Sequence, residues 1–373
     1  MTVTAQDPFK NIRPYNDDEV AEVVQRLLNT SEFISAMGQF QFPLLSRYFS
    51  AGVNALVRWG LSRQLSGVAD VAAMQVVISG YMQKIIDSTT NKLSFSGIDN
   101  IKPDQAYLFI SNHRDIAMDP AFVNWGLYSS GMSTMRIAIG NNLLKKTYVS
   151  DLMRLNKSFI VNRSAKGIRQ KMAAYMELSS YVDHSICNGH SVWIAQREGR
   201  AKDGNDFTDP AIMKMLYMSK KKQGVAFNEV VKQLKIVPVA ISYEYDPCDA
   251  LKARELYERD STGEYQKSQF EDIDSIVRGI TGYKGDVHVA YGEPLTADFD
   301  TAEQLAEAID ESIIRNYYLH ASNILAADKD AEVDADKRAR FQARLSDIPS
   351  ECQERFASMY ANPVLNKYKQ SQG

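Results

Sequence analysis

Between Ser111 and Phe122 the chain reads SNHRDIAMDPAF, directly after the apolar run AYLFI. His113, Arg114, Asp115 and Asp119 therefore lie within seven residues at the end of an expected buried strand. An imidazole is the side chain best suited to take a proton near neutral pH. A carboxylate beside it can hold the ring, fix its tautomer and stabilise the imidazolium that forms. Nothing in the pattern requires a serine or cysteine nucleophile, so the attacking group can be a substrate hydroxyl with His113 as its base. Asp119 is the expected partner, because Asp115 follows the histidine too closely to meet the ring easily. A structural role is compatible with this one: Asp119 followed by Pro120 suits the start of a helix over DPAFVNWGL.

The tripeptide His113-Arg114-Asp115 also opens the catalytic loop of protein kinases. That loop needs an asparagine five residues after its aspartate to hold a metal ion. Here the position is Pro120, no D-F-G follows and no G-x-G-x-x-G precedes. A kinase is excluded on these grounds.

A phosphorylated acceptor needs fixed cations. Arg163 ends the run FIVNR and Arg200 follows VWIAQ. In a parallel sheet the carboxyl ends of the strands share one edge, where ligands bind, and His113 also follows a strand. Guanidinium groups match phosphate with paired N–H donors. Asn162, Lys202 and Arg114 are further candidates. The stretch DHSICNGH places His184, Cys187 and His190 together, but it reads as a helix end rather than a zinc site. No motif demands a metal or nucleotide cofactor.

The elements that must position these groups follow from periodicity. Residues 17–88 read as amphipathic helices; DDEVAEVVQRLL puts Val20, Val23, Val24, Leu27 and Leu28 on one face. From about Ser88 onward, short apolar runs alternate with helical stretches. AYLFIS, MRIAIG, SFIVNR, SVWIAQ, LKIVPVAIS and GDVHVAYG each have strand length and strand composition. This pattern predicts an α/β fold: a mostly parallel or mixed central sheet flanked by helices, with an N-terminal helical region and a C-terminal helical tail. The expected divisions are a flexible N-terminus (1–16), the helical region (17–88), an α/β catalytic domain (89–325), and a charged linker with a helical tail (326–373).

Four ordered blocks resemble the glycerolipid acyltransferase family, which includes glycerol-3-phosphate and lysophosphatidate acyltransferases. NHRDIAMD is similar to the family's first block, FIVNRS to the second, VWIAQREGRAKDG to the third and KIVPVAIS to the fourth. VHVAYGEPL is similar to the strand and turn that often end the family's domain, so the resemblance runs over about residues 90–325. Two departures stand out. Five residues, not four, separate His113 from Asp119, and the third block has Glu198-Gly199-Arg200 where the family has one residue more. The resemblance implies transfer of a fatty acyl group from a thioester donor, acyl-CoA or acyl carrier protein, to the hydroxyl of a glycerol-phosphate-type lipid. It also implies that Glu198 and Gly199 belong to the acceptor site. Two alternatives stay open: a lipid-binding homologue that keeps the fold without turnover, and a hydrolase in which His113 activates water on the thioester.

Composition sets the remaining bounds. The chain has 373 residues, 45% apolar and 24% charged, and a net charge of -3, which points neither to nucleic acid nor to disorder. Charge is uneven: Arg136–Lys171 carries nine bases and one acid, Asp151, whereas Glu244–Asp274 carries ten acids and four bases. The basic stretch suits phosphates or an anionic membrane surface. Three well-separated cysteines fit a reducing compartment. With no secretory leader and no uncharged run of spanning length, the expected location is cytoplasmic, peripheral at the inner face of the membrane.

Overall fold

A computed structural model describes residues 7–268 and 271–372. Its seven strands are β1 (Thr90–Ser96), β2 (Leu108–Ser111), β3 (Arg136–Gly140), β4 (Ser158–Val161), β5 (Val192–Ala195), β6 (Ile236–Tyr243) and β7 (Gly285–Tyr291). The first helices are α1 (Asp17–Asn29), α2 (Ser31–Gln41), α3 (Pro43–Tyr48), α4 (Ser50–Leu65), α5 (Val71–Thr89), α6 (Met118–Ser129), α7 (Thr147–Leu155) and α8 (Ile168–Cys187). They are followed by α9 (Pro210–Lys221), α10 (Phe227–Leu234), α11 (Asp249–Thr262), α12 (Glu271–Thr281), α13 (Ala302–Asn316), α14 (Ala321–Ala327), α15 (Ala335–Ser346) and α16 (Gln353–Gln372). This is the α/β architecture that the alternation predicts, with mixed, mostly parallel strands.

The chain divides into two compact bodies, residues 7–83 with 136–174 and residues 84–135 with 175–372. The sequence reading set residues 136–174 in the catalytic domain. They sort with the N-terminal helices because Leu155, Tyr148 and Leu152 of α7 join the apolar core made by Val20, Val24, Leu27, Phe33, Val53, Val57 and Leu61. Every α1 residue expected on the apolar face is buried. The N-terminus of α1 is closed by a capping box between Asn16 and Glu19. Residues 1–6 of the expected flexible N-terminus lie outside the described residues. Residues 7–16 are tied down instead: the Ile160 amide donates to the Ile12 carbonyl at 2.8 Å, and the Tyr15 hydroxyl donates to Asp151 at 2.6 Å. In this body β3 and β4 pair in parallel, Ile137 opposite Ser158.

The larger body holds the other five strands in the order β1-β7-β6-β2-β5. All pairs are parallel except β6 with β7. The short central strand β2 and the long β6 are buried along their whole length, which is why both read as continuous apolar runs rather than as alternation. The tail after residue 326 is part of this body. Phe341, Phe356, Met359 and Tyr360 of α15 and α16 pack with Tyr245, Ala253 and Leu325 into a second buried cluster.

Candidate active site

The site is built at the carboxyl end of β2. The last paired residue is Ser111, opposite Val239 of β6. Asn112 then leaves the ladder but keeps its hold on β6 through its side chain: Nδ2 donates to the Ile241 carbonyl at 2.9 Å, and Oδ1 accepts from the Ile241 amide at 2.7 Å. One buried amide side chain thus replaces a missing pair of ladder bonds and fixes where the next residue begins.

That residue is His113. Its Nδ1 lies 2.9 Å from Oδ2 of Asp119. The same oxygen accepts from the backbone amides of Arg114 at 2.6 Å and Asp115 at 2.9 Å, while Oδ1 accepts from the Tyr243 hydroxyl at 2.6 Å. Asp119 is fully buried. The other contacts to Asp119 all come from donors, so the carboxylate acts as the acceptor toward Nδ1, and Nε2 is the ring nitrogen left to take a proton from a substrate. The indole of Trp193 meets the imidazole edge-on at 5.9 Å and is itself anchored by Nε1–H donating to Ser111 at 3.0 Å.

The extra residue between His113 and Asp119 is absorbed by Asp115. Its Oδ1 accepts from the amides of Ala117 at 2.9 Å and Met118 at 2.8 Å, closing the first turn of α6. The helix-opening role considered for Asp119 therefore falls to Asp115, and Asp119 is left to face back toward the ring. Burial, and then the nearby charge of Asp119, push the Asp115 carboxyl up to about 6. Its Oδ2 has no hydrogen-bond partner among the described residues.

Two expected phosphate ligands are engaged elsewhere. Arg114 is buried and donates from Nε and Nη2 to Oδ2 of Asp206, at 3.0 and 2.7 Å. Burial alone would weaken its charge, but Asp206 raises its pKa well above the usual arginine range. Lys202 forms an ion pair with the buried carboxylate of Glu255. Burial lowers its pKa and Glu255 opposes the shift. A cation already neutralised in this way adds little to an incoming phosphate, and here both Arg114 and Lys202 brace buried acids of the same body. Arg200 differs. Its Nη2 donates to Ser275 at 3.2 Å, and its buried Nη1 has no partner among the described residues. The amide of Ala201 donates to the His113 carbonyl at 2.9 Å, so the third-block loop is fastened to the histidine itself. Glu198 is exposed and Gly199 sits at φ +78° with open space around its Cα, a conformation suited to glycine.

Asn162 and Arg163 belong to the other body, at the end of β4. There the Asn141 side chain links them: its Nδ2 donates to the Asn162 side chain at 3.2 Å, and its Oδ1 accepts from the Arg163 amide at 3.1 Å. No group of three or more His, Cys, Asp or Glu among the described residues is placed to hold a metal ion.

Residues 92–242, which run from β1 through the site to the end of β6, match the Acyltransferase family model. This stretch carries the similarity to that family. Among solved structures the chain is similar to the 1-acyl-sn-glycerophosphate (LPA) acyltransferase PlsC of Thermotoga maritima, with 16% identity over 76% of this chain and 92% of that one and a TM-score of 0.38. No curated protein matches. Four structural contributors carried no chemical signal of their own in the sequence: Asn112, Trp193 and Asp206 within the matched stretch, and Tyr243 immediately after it.

Proposed function

We propose that this protein transfers a fatty acyl group from a thioester, acyl-CoA or acyl carrier protein, to a hydroxyl of glycerol 3-phosphate or a lysophosphatidate-type lipid. The observation that carries the reading is the bond of the His113 imidazole to a buried, saturated Asp119. Nε2 takes the proton of the acceptor hydroxyl as its oxygen attacks the thioester carbonyl. Asp119 stabilises the resulting imidazolium. The tetrahedral intermediate collapses with cleavage of the carbon–sulfur bond, and the proton held on Nε2 passes to the departing thiolate. Ester and free thiol are the products, and no other reactant is consumed.

Arg200, with a buried nitrogen that has no hydrogen-bond partner among the described residues, is the favoured ligand for the acceptor's phosphate. Glu198 and Gly199 shape the loop that admits the acceptor.

The acceptor's place in a lipid bilayer is supported by the surface of α2–α4. Phe40, Leu44, Leu45, Tyr48, Phe49, Leu56 and Trp59 are exposed. From Phe33 to Ala69 the chain has three arginines and no acid. Aromatic and aliphatic groups beside arginines suit the headgroup region of an anionic leaflet. No helix among the described residues is long and apolar enough to cross a membrane. We place the protein peripherally at the inner face, a reducing compartment that its three free cysteines also suit.

The deciding experiment offers one long-chain acyl-CoA with a panel of acceptors and identifies the lipid product by mass spectrometry. An acylated phospholipid supports the reading. Free fatty acid with every acceptor converts it to a thioester hydrolase. No thioester cleavage with either acyl-CoA or acyl carrier protein leaves a binding homologue.

A further inference from the structure

We propose that Tyr243 is the positioning residue of the His113–Asp119 pair: its hydroxyl fixes one carboxylate oxygen so that the other is aimed at the imidazole. The proposal rests on the acyl-transfer reading for its consequence in catalysis, but its geometry stands apart from any substrate.

Tyr243 is the last residue of β6, and it makes two contacts to one helix. Its hydroxyl donates to Asp119 Oδ1 at 2.6 Å, and its ring packs against Phe122, one turn further along α6, with centroids 5.9 Å apart. The adjacent strand β7 supplies a second clasp on the same helix. Tyr291 donates to the Val123 carbonyl at 2.6 Å, in space opened by Gly126, where any Cβ would meet the Tyr291 hydroxyl. Both tyrosines are buried. Two phenols on neighbouring strands thus grip one helix, but only Tyr243 reaches the carboxylate.

The two oxygens of Asp119 have separate duties. Oδ2 receives the imidazole and two backbone amides, all from its own turn. Only Oδ1 is tied to the sheet. Without that tie the carboxylate can rotate about its last torsion, and the aim of Oδ2 is held by the turn alone. Burial, and then the charges of Asp119 and Asp115, keep the phenol protonated far above the usual tyrosine range, so it is a permanent donor. A donor on Oδ1 draws negative charge away from Oδ2. Removing it strengthens the attraction for imidazolium.

The test compares Tyr243→Phe with Tyr291→Phe. Each loses one buried hydroxyl bond to α6. The other charges around the pair are Asp115, the Arg114 guanidinium paired with Asp206, Asp246 paired with Lys252, and Lys284 near Asp115, and neither substitution alters any of them. The His113 ring is titrated by NMR, its resonance assigned with His113→Gln, and the pH profile of acyl transfer is measured in parallel. The expected result for Tyr243→Phe is a titration midpoint raised by about half a pH unit or more, the acid limb of the rate moving with it, and activity at its optimum reduced about tenfold. Tyr291→Phe is expected to lower Tm while leaving the midpoint in place. Should Tyr243→Phe not fold, 3-fluorotyrosine at position 243 keeps the shape and strengthens the donor, and the midpoint falls. A midpoint unmoved by the change at 243, or moved equally in Tyr291→Phe, overturns the proposal. Absence of acyl transfer in the wild type overturns the functional reading instead, and leaves the NMR comparison intact.

Discussion

Arg114 places two donors, Nε and Nη2, on the same oxygen of Asp206, although the two residues are 92 positions apart in the chain. The ring of Tyr317 lies 5.7 Å from the guanidinium carbon. The pair is buried on both sides. Breaking it by Arg114→Ala leaves an uncompensated carboxylate in the interior, which costs about 3–5 kcal/mol. Urea unfolding is the measurement. The loss is expected in stability, with the acceptor's KM unchanged in the protein that remains folded. A variant of wild-type stability with a raised acceptor KM restores Arg114 to the phosphate site.

Arg200 is expected to behave in the opposite way. Its Nη1 has no partner to lose among the described residues, so Arg200→Ala removes the bond to Ser275, and stability changes by only about 1 kcal/mol. Loss of a charge-assisted contact to phosphate, worth about 1.5–3 kcal/mol, raises the acceptor's KM roughly tenfold or more while the acyl donor's KM stays put. Steady-state kinetics with each substrate varied in turn decide the matter. Equal changes in both KM values count against phosphate binding.

His113 and the two aspartates separate by the same logic. His113→Ala and Asp119→Asn are expected to reduce kcat/KM by about 10²–10⁴-fold. Asp115→Asn retains an oxygen for the amides of Ala117 and Met118 and leaves the His113 bond alone, so its activity is expected within about tenfold of wild type. Rates of acyl-CoA consumption, corrected for folded fraction, give the ranking. If Asp115→Asn is the more damaging of the two, the partnership assigned from the 2.9 Å contact is wrong.

These residues also mark what a sequence can disclose. The strand that delivers His113 was legible because β2 is short, apolar and followed by polar residues. Asp119 is favoured over Asp115 in the sequence because a histidine ring cannot readily meet a carboxylate two positions on. The roles of Arg114 and Lys202 were not, since the acids that neutralise them, Asp206 and Glu255, are distant in sequence and carry no mark of burial. Asn112 stood beside the histidine in plain view, but its service as a substitute ladder bond depends on a strand more than a hundred residues later. The sorting of residues 136–174 with the N-terminal helices has a related origin. Their strands read like all the others, and only the apolar face of α7 decides which helices they join.

Asp115 is fully buried, and burial followed by the charge of Asp119 raises its carboxyl from 3.8 to about 6. The folded protein therefore holds this proton more tightly than the unfolded chain. Below about pH 4 the group is protonated in both states and has no effect on stability. As pH rises from about 4 through 6 the native carboxyl must ionise in the interior, and stability falls by up to about 3 kcal/mol before levelling off. Asp115→Asn removes this dependence and keeps the acceptor oxygen for the first turn of α6. The difference in Tm between the variant and the wild type is expected to move in the variant's favour between pH 4 and 7 and then stay constant. Thermal unfolding in a series of buffers at constant ionic strength checks it. A difference independent of pH indicates that Asp115 ionises without cost, by opening to water beside Gly279, whose lack of a side chain is what lets the carboxylate fit.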